Sequence, residues 1–326
     1  MTFADAVLVP ADQSLARPED GVALADGTLI VADQRYGLVE IAPDGAIRPF
    51  GNFAATGYAH APPETIAGPN GVSLEPDGAH ILVADIFTGA IYRTDIETET
   101  TERIYQHAFG VNNAVADSTG AIWFTQSTEN GGADAAQKLF AAIDVVIPDG
   151  ALYRMVPGGE PEMKLGGLEF ANGFVIDEAR GALYIAETMG DRVVAFDLNL
   201  ATGDLSGRKV LASVMTPDNV EMDGAGRLWI ASPIGNEIVV VDPESGERQI
   251  AFQAKNADSD RVAAEWRRRA EAGEGRIELF SPATWAPLPG GITGVILPPV
   301  VNGRLQGPVY VSGLGGALIK LDMAGR

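Results

Sequence analysis

A chain of 326 residues with 44 acidic against 23 basic side chains carries a formal net charge of -21. Such a surface repels phosphate backbones and anionic headgroups, which excludes nucleic acid and membrane surfaces as expected partners and leaves a small-molecule ligand. The absence of cysteine removes disulfides, thiolate nucleophiles and Cys-ligated metal centres, so any metal site must be built from oxygen and nitrogen donors.

In chain order, the first segment, MTFADAVLVPADQSLARPED, has no basic region followed by an apolar one, and no stretch of about 18 apolar residues follows elsewhere. A cytoplasmic location is expected. Within that segment Ala6 to Pro10 reads as a short strand. A pattern then recurs six times: a small or polar start, an alternating apolar strand, an Asp/Gly turn, a second strand, another turn and a third strand. The copies begin at Glu19, Pro69, Asn112, Ala171, Pro217 and Ile292. They lie roughly 40 to 75 residues apart, the spacing of four-stranded blades with insertions.

Two insertions break the pattern near 131–149 and 255–275. Ala133 to Val146 predicts a short helix in the third repeat. Ala257 to Ala272 predicts a charged helix between the fifth and sixth, capped by Asp258 or Ser259. Either insertion is a decoration or a lid over a site. In the first, Leu139, Phe140, Ile143 and Val146 supply either an apolar wall or packing against the scaffold. Trp123 and Trp229 fall in second strands and are expected in the core, and Trp285 is the candidate pocket-lining aromatic.

The repeats predict an all-β, six-bladed β-propeller with four-stranded blades, a single domain over residues 1–326 with short helical insertions. No fourth strand remains after the last repeat, so the N-terminal strand is expected to close the ring. The residues that open the innermost strands then meet at one mouth of the channel. Five of them are polar: Glu19, Asn70, Asn112, Asn172 and Asp218. The sixth repeat offers Ile292 and Thr293. Residues at the ends of the second strands, Gln34, Asp85, Gln126, Glu187 and Ser232, return to the same face and are read as a surrounding shell. Of these, Asp85, Gln126 and Glu187 are expected to touch substrate, together with Asn70 and Trp285. Two carboxylates and several amide carbonyls form a hard oxygen cage suited to one Ca²⁺. His60, His80 and His107 read as satisfied or solvated. No G-x-S-x-G elbow is present, and Gly313 to Gly316 reads as a hairpin.

The segments PED at Pro18 to Asp20, VNN at Val111 to Asn113, FANG at Phe170 to Gly173 and PDN at Pro217 to Asn219 carry a family likeness. From Glu19 to about Asp322 the chain resembles the propeller superfamily of SMP-30/gluconolactonase, diisopropylfluorophosphatase, paraoxonase and strictosidine synthase-like proteins. The resemblance implies that Glu19, Asn112, Asn172 and Asp218 hold a catalytic calcium. In the paraoxonase branch Asn219 matches a further ligand. That branch also implies a second ion at Asp20, Asn113 and the Val72 carbonyl, but Asn113 stands where an aspartate is expected, which argues against it. Asn70 and Asp85 stand where the paraoxonase histidines would lie.

The expected function is calcium-dependent hydrolysis of a small-molecule lactone or ester, with the metal as Lewis acid and Asp218 as base or nucleophile. Two alternatives use the same ring. One is a non-hydrolytic enzyme, an isomerase, lyase or condensing enzyme, with Glu187 or Asp85 as its acid or base. The other is a propeller that binds a ligand without catalysis.

Overall fold

In the computed structural model, residues 1–301 and 304–322 are described. The first, second, third and fifth repeats fold locally for the same reason. The first hairpin of each turns on an Asp-Gly or Asp-x-x-Gly segment, in which an aspartate carboxylate caps the turn. Asp26 accepts from the Thr28 N–H at 2.9 Å, Asp77 from Ala79 at 2.8 Å, Asp117 from Thr119 at 2.9 Å and Asp223 from Ala225 at 3.0 Å. Gly27, Gly78, Gly120 and Gly226 follow at φ between 69° and 89°, a conformation that glycine adopts without steric cost.

The strands form six four-stranded antiparallel sheets, which are the blades expected of a six-bladed propeller. Blade I runs Gly21–Ala23, Leu29–Asp33, Gly37–Ile41 and Ile47–Phe50, and blade II runs Pro69–Leu74, His80–Asp85, Ala90–Asp95 and Thr101–Gln106. Blade III runs Ala114–Ala116, Ile122–Gln126, Gly150–Met155 and Glu162–Leu168, and blade IV runs Ala171–Asp177, Ala182–Glu187, Arg192–Asn199 and Asp204–Ser213. Blade V comprises Val220–Met222, Leu228–Ser232, Glu237–Val241 and Arg248–Gln253. Blade VI comprises Ile292–Ile296, Val309–Gly313 and Leu318–Leu321, completed by the N-terminal strand Val7–Val9. Val7 pairs with Lys320, Leu8 with Ile319 and Val9 with Leu318. The N-terminal strand thus closes the ring as the sequence predicts, and the closure pairs the two ends of the chain within one sheet.

Both faces of each blade are apolar because each is sandwiched between two others. The second strand of blade I and the third strand of blade V are buried along their whole length. Six apolar clusters fill the six gaps between neighbouring blades. Ile30, Leu38, Val72 and Ile81 join I to II, for example, and Val31, Val39, Ile296 and Leu318 join VI to I.

Trp123 and Trp229 are buried in these interfaces. Their indole N–H groups donate to Asp117 and Asp223, each at 2.9 Å, so that one aspartate both caps a turn and satisfies a buried donor in two different blades. Trp229→Phe keeps the ring and removes the bond. It should cost about 1 kcal/mol in urea or thermal unfolding, whereas an effect near zero would mean the bond is not stabilising.

The insertions carry helices α1 (Ala135–Asp144) and α2 (Ala257–Ala272), followed by a short helix α3 (Pro282–Trp285). α2 covers the residues the sequence predicts, but its cap is Asn256 and not Asp258 or Ser259. Asn256 Oδ1 accepts from the N–H groups of Asp258 and Ser259, and the Ser259 hydroxyl accepts from the Asn256 N–H. A reciprocal pair of this kind satisfies three otherwise free donors at the helix start.

The two insertions are tied together at Asp144, the last residue of α1. Its carbonyl accepts from Arg276 N–H at 3.0 Å and its carboxylate from Ile277 N–H at 2.9 Å. A seventh apolar cluster, including Leu139, Ala142, Phe170, Met189, Ile234 and Trp266, seats them on the ring. Trp266 is fully buried, donates to Asp191 and lies 4.4 Å under the Arg276 guanidinium. No described helix is long and apolar enough to cross a membrane.

Candidate active site at the channel mouth

A cavity of about 500 Å³ lies between the ring and the two insertions. Its floor takes one polar residue from the start of each blade: Glu19, Asn70, Asn112, Asn172, Asp218 and Thr293. The repeat accounts for this convergence. Each blade begins next to the axis, so the residue opening its first strand must face the channel mouth.

Each floor residue is held in place. The Asn112 amide nitrogen donates to Ser127 Oγ at 3.0 Å, and the Asn172 amide nitrogen donates to Thr188 Oγ1 at 3.0 Å. The Thr188 hydroxyl in turn donates to the Pro217 carbonyl at 2.7 Å. With the nitrogens so engaged, both amide oxygens are left as acceptors. Asn112 Oδ1 is buried without a hydrogen-bond partner, and Asn172 Oδ1 accepts from Gly173 N–H. Asn219 lies fully buried beside the floor. Its amide nitrogen sits 3.4 Å from both Glu19 carboxylate oxygens, and its Oδ1 also lacks a partner.

Two carboxylates share this site. Burial pushes Glu19 up to about 7, against a smaller opposing pull from the Arg17 cation. Asp218 is pushed well above the ordinary carboxylate range, first by burial and then by the charge of Glu19. Buried carboxylates that repel one another, beside an amide oxygen with no donor, are groups a hard divalent cation would satisfy together. Glu19, Asn112, Asn172 and Asp218 therefore fit such an ion, whereas Asn219 turns its amide nitrogen and not its oxygen toward Glu19.

The residues implied for a second ion are also near the axis. Asp20 Oδ2 accepts from Val72 N–H at 2.9 Å, linking blades I and II, while Asp20 Oδ1 and Asn113 Oδ1 have no partner. A separate acidic group, Glu75, Asp77 and His80, lies within blade II. There Arg93 already takes both Glu75 oxygens and His80 pairs with Asp77.

Trp285 lines the cavity wall, but Asp85, Gln126 and Glu187 do not line the cavity. Asp85 is buried and caps the backbone N–H groups of Gly68, Phe87 and Thr88. Gln126 bonds His107 and the Asp149 carbonyl. Glu187 pairs with Arg192 at 2.5 Å and Arg208 at 2.8 Å. The physical reason is the two-residue period of a strand. These residues, like Ser232, end the second strand with the side chain turned between blades. The next residue faces the site: Gln34, Ile86, Thr188 and Pro233 all line the cavity, and Ser127 holds Asn112. Gln34, read as a strand end, is already one residue beyond Asp33. The histidines are all engaged, His60 with the Ala67 carbonyl, His80 with Asp77 and His107 with Gln126.

The walls are apolar. Leu139, Phe140 and Ile143 come from α1, Ile277, Phe280 and Trp285 from the second insertion, and Phe87 and Phe170 from the ring. Val146 lies outside the cavity and is exposed. Sequence reasoning missed Arg17, although it stands only two residues before Glu19. It also missed Ser127 and Thr188, for which the signal is their place directly after Gln126 and Glu187.

Residues 104–259, just under half of the chain, match the family described as SMP-30/Gluconolactonase/LRE-like region. Regucalcin from Bos taurus is 29% identical over 103 residues, which is 30% of this chain and 34% of that protein. The chain thus spans about a third of the length of the curated relatives it matches. Among solved structures, a gluconolactonase from Xanthomonas campestris superposes with a TM-score of 0.64 at 19% identity, covering 94% of this chain and 86% of that one. A calcium-binding regucalcin from Agrobacterium tumefaciens gives 0.62 at 14% identity, covering 98% and 94%. At these identities the structural likeness concerns the fold.

Proposed function

We propose that this chain, which resembles the SMP-30/gluconolactonase propellers in fold and over residues 104–259, is a calcium-dependent hydrolase of small-molecule lactones or esters. The observation that carries the reading is the floor of the cavity. One polar side chain from each blade converges there, including two buried carboxylates and an amide oxygen with no donor, at the bottom of one cavity.

Glu19, Asn112, Asn172 and Asp218 are the residues that would hold the ion. When bound, the ion supplies Lewis-acid polarisation of an acyl carbonyl. The chain does the rest. Ser127 holds the Asn112 amide so that its oxygen is left free, and Thr188 fixes the Asn172 amide in place. Asp218, ionised once a cation offsets its burial and the charge of Glu19, would take the proton of an attacking water or attack the acyl carbon itself. The apolar roof excludes bulk water and favours a substrate with a hydrocarbon or aromatic body over a polyhydroxylated one.

Chelation followed by calcium readdition should abolish and then restore hydrolysis across a lactone and aryl-ester panel, with kcat/KM rising as the acyl or ring substituent becomes more apolar. Hydrolysis that ignores the chelator sinks the proposal.

A further inference from the structure

Arg17 lines the same cavity as the six floor residues. Its backbone adopts φ 57°, in the left-handed region that residues other than glycine seldom occupy, and its N–H donates to the Gly315 carbonyl. The guanidinium is fixed by two hydrogen bonds, Nη1 to the Pro69 carbonyl at 2.9 Å and Nη2 to Asn70 Oδ1 at 2.6 Å. Both acceptors are neutral. In a chain with 44 acidic side chains most arginines pair with a carboxylate, as Arg35, Arg48, Arg93, Arg180, Arg192 and Arg227 do. Arg17 forms no ion pair among the described residues, although its charge also reaches Glu19 and Asp218 across the cavity floor.

A guanidinium has five N–H donors, and here two are used. The Trp285 ring lines the same cavity while its Nε1 is buried against Gly291, so Arg17 is the cationic donor of the lining and much of the remaining wall is hydrocarbon. A fixed, half-used guanidinium matches a carboxylate in geometry and charge.

We propose that Arg17 is a specificity residue that binds a carboxylate on the substrate, so that the site takes lactones or esters combining an apolar body with an acidic group. This rests on the hydrolase reading for the reacting bond, but the anion site stands on the Arg17 guanidinium alone. Because Arg17 also holds Asn70, a purely positioning role is the rival, and a matched pair of substrates separates the two.

The test uses the calcium-loaded full chain with 4-acetoxybenzoate and its neutral methyl ester. Arg17→Gln should lower kcat/KM for the carboxylate substrate about 30-fold or more, mainly through KM, and for the methyl ester less than about threefold. Arg17→Lys, which keeps the charge but loses the fork, should fall between. Equal losses on both substrates, or no loss on either, overturn the proposal. Calorimetric binding of 4-phenylbutanoate against 4-phenylbutanamide gives a readout that needs no turnover. Arg17→Gln should weaken the acid about tenfold or more and leave the amide unchanged, and unchanged affinity for the acid overturns the assignment. If neither ester is hydrolysed, the hydrolase reading falls while the calorimetry still decides the role of Arg17.

Discussion

Asp218→Asn should lower kcat for lactone or ester hydrolysis about 10³-fold, the scale expected when a positioned base or nucleophile is removed. The substitution is nearly isosteric, and the Asp218 backbone N–H keeps its bond to the Ala231 carbonyl, so the fold should be retained. A second readout separates this outcome from simple damage. Asp218 is a buried carboxylate held above its ordinary range by burial and by the neighbouring charge of Glu19. Replacing it with a neutral amide removes that repulsion, so the metal-free variant should melt higher than the metal-free parent even as activity and calcium affinity fall. Activity within tenfold of the parent would falsify the assigned role.

Without a divalent cation the protein should become less stable as pH rises from about 6 to 8. Glu19 titrates near 7 in the folded chain, against an ordinary value of 4.5. Between those two values the unfolded chain has released the proton and the folded chain still holds it. The free energy of unfolding therefore falls with rising pH across that window. Glu19 alone accounts for ~1 kcal/mol between pH 6 and 8. Asp20, Asp218 and Glu221 are raised by burial in the same sense. Calcium should reverse the trend, because it favours the ionised carboxylates and binds more tightly once they are deprotonated. Thermal melts at pH 6 and 8, with chelator and with calcium, measure both effects. A metal-free melting temperature that stays level or rises toward pH 8 would remove the carboxylate cluster as the origin of metal affinity.

Both expectations depend on groups that no single blade contains. Glu19 opens blade I and Asp218 opens blade V, and their mutual repulsion exists only because the ring brings the two strand starts to one mouth. The roof is assembled in the same way. Asp144 in the third repeat binds the backbone of Arg276 and Ile277 in the segment before the sixth. Two insertions far apart in sequence thus act as one wall above the floor.

Much of this was legible in the sequence, because much of it is local. Alternating apolar residues, Asp/Gly turns and a missing fourth strand are short-range signals, and they gave the six sheets, the closure by Val7–Val9 and five of the floor positions, with the sixth left between Ile292 and Thr293. The extent of α2 was equally readable from its composition and periodicity.

What the sequence left open turned on single-residue phase and on distance in space. Asp85, Gln126 and Glu187 end their strands one residue short of the cavity, and a period of two sends that one-residue difference to the opposite face. Only the tertiary structure decided which side chain of each pair meets the site. It also decided that Leu139, Phe140 and Trp285 share one roof and that Arg17 stands in the cavity bonded to Pro69 and Asn70 and not ion-paired to a carboxylate among the described residues, because these depend on where distant segments pack.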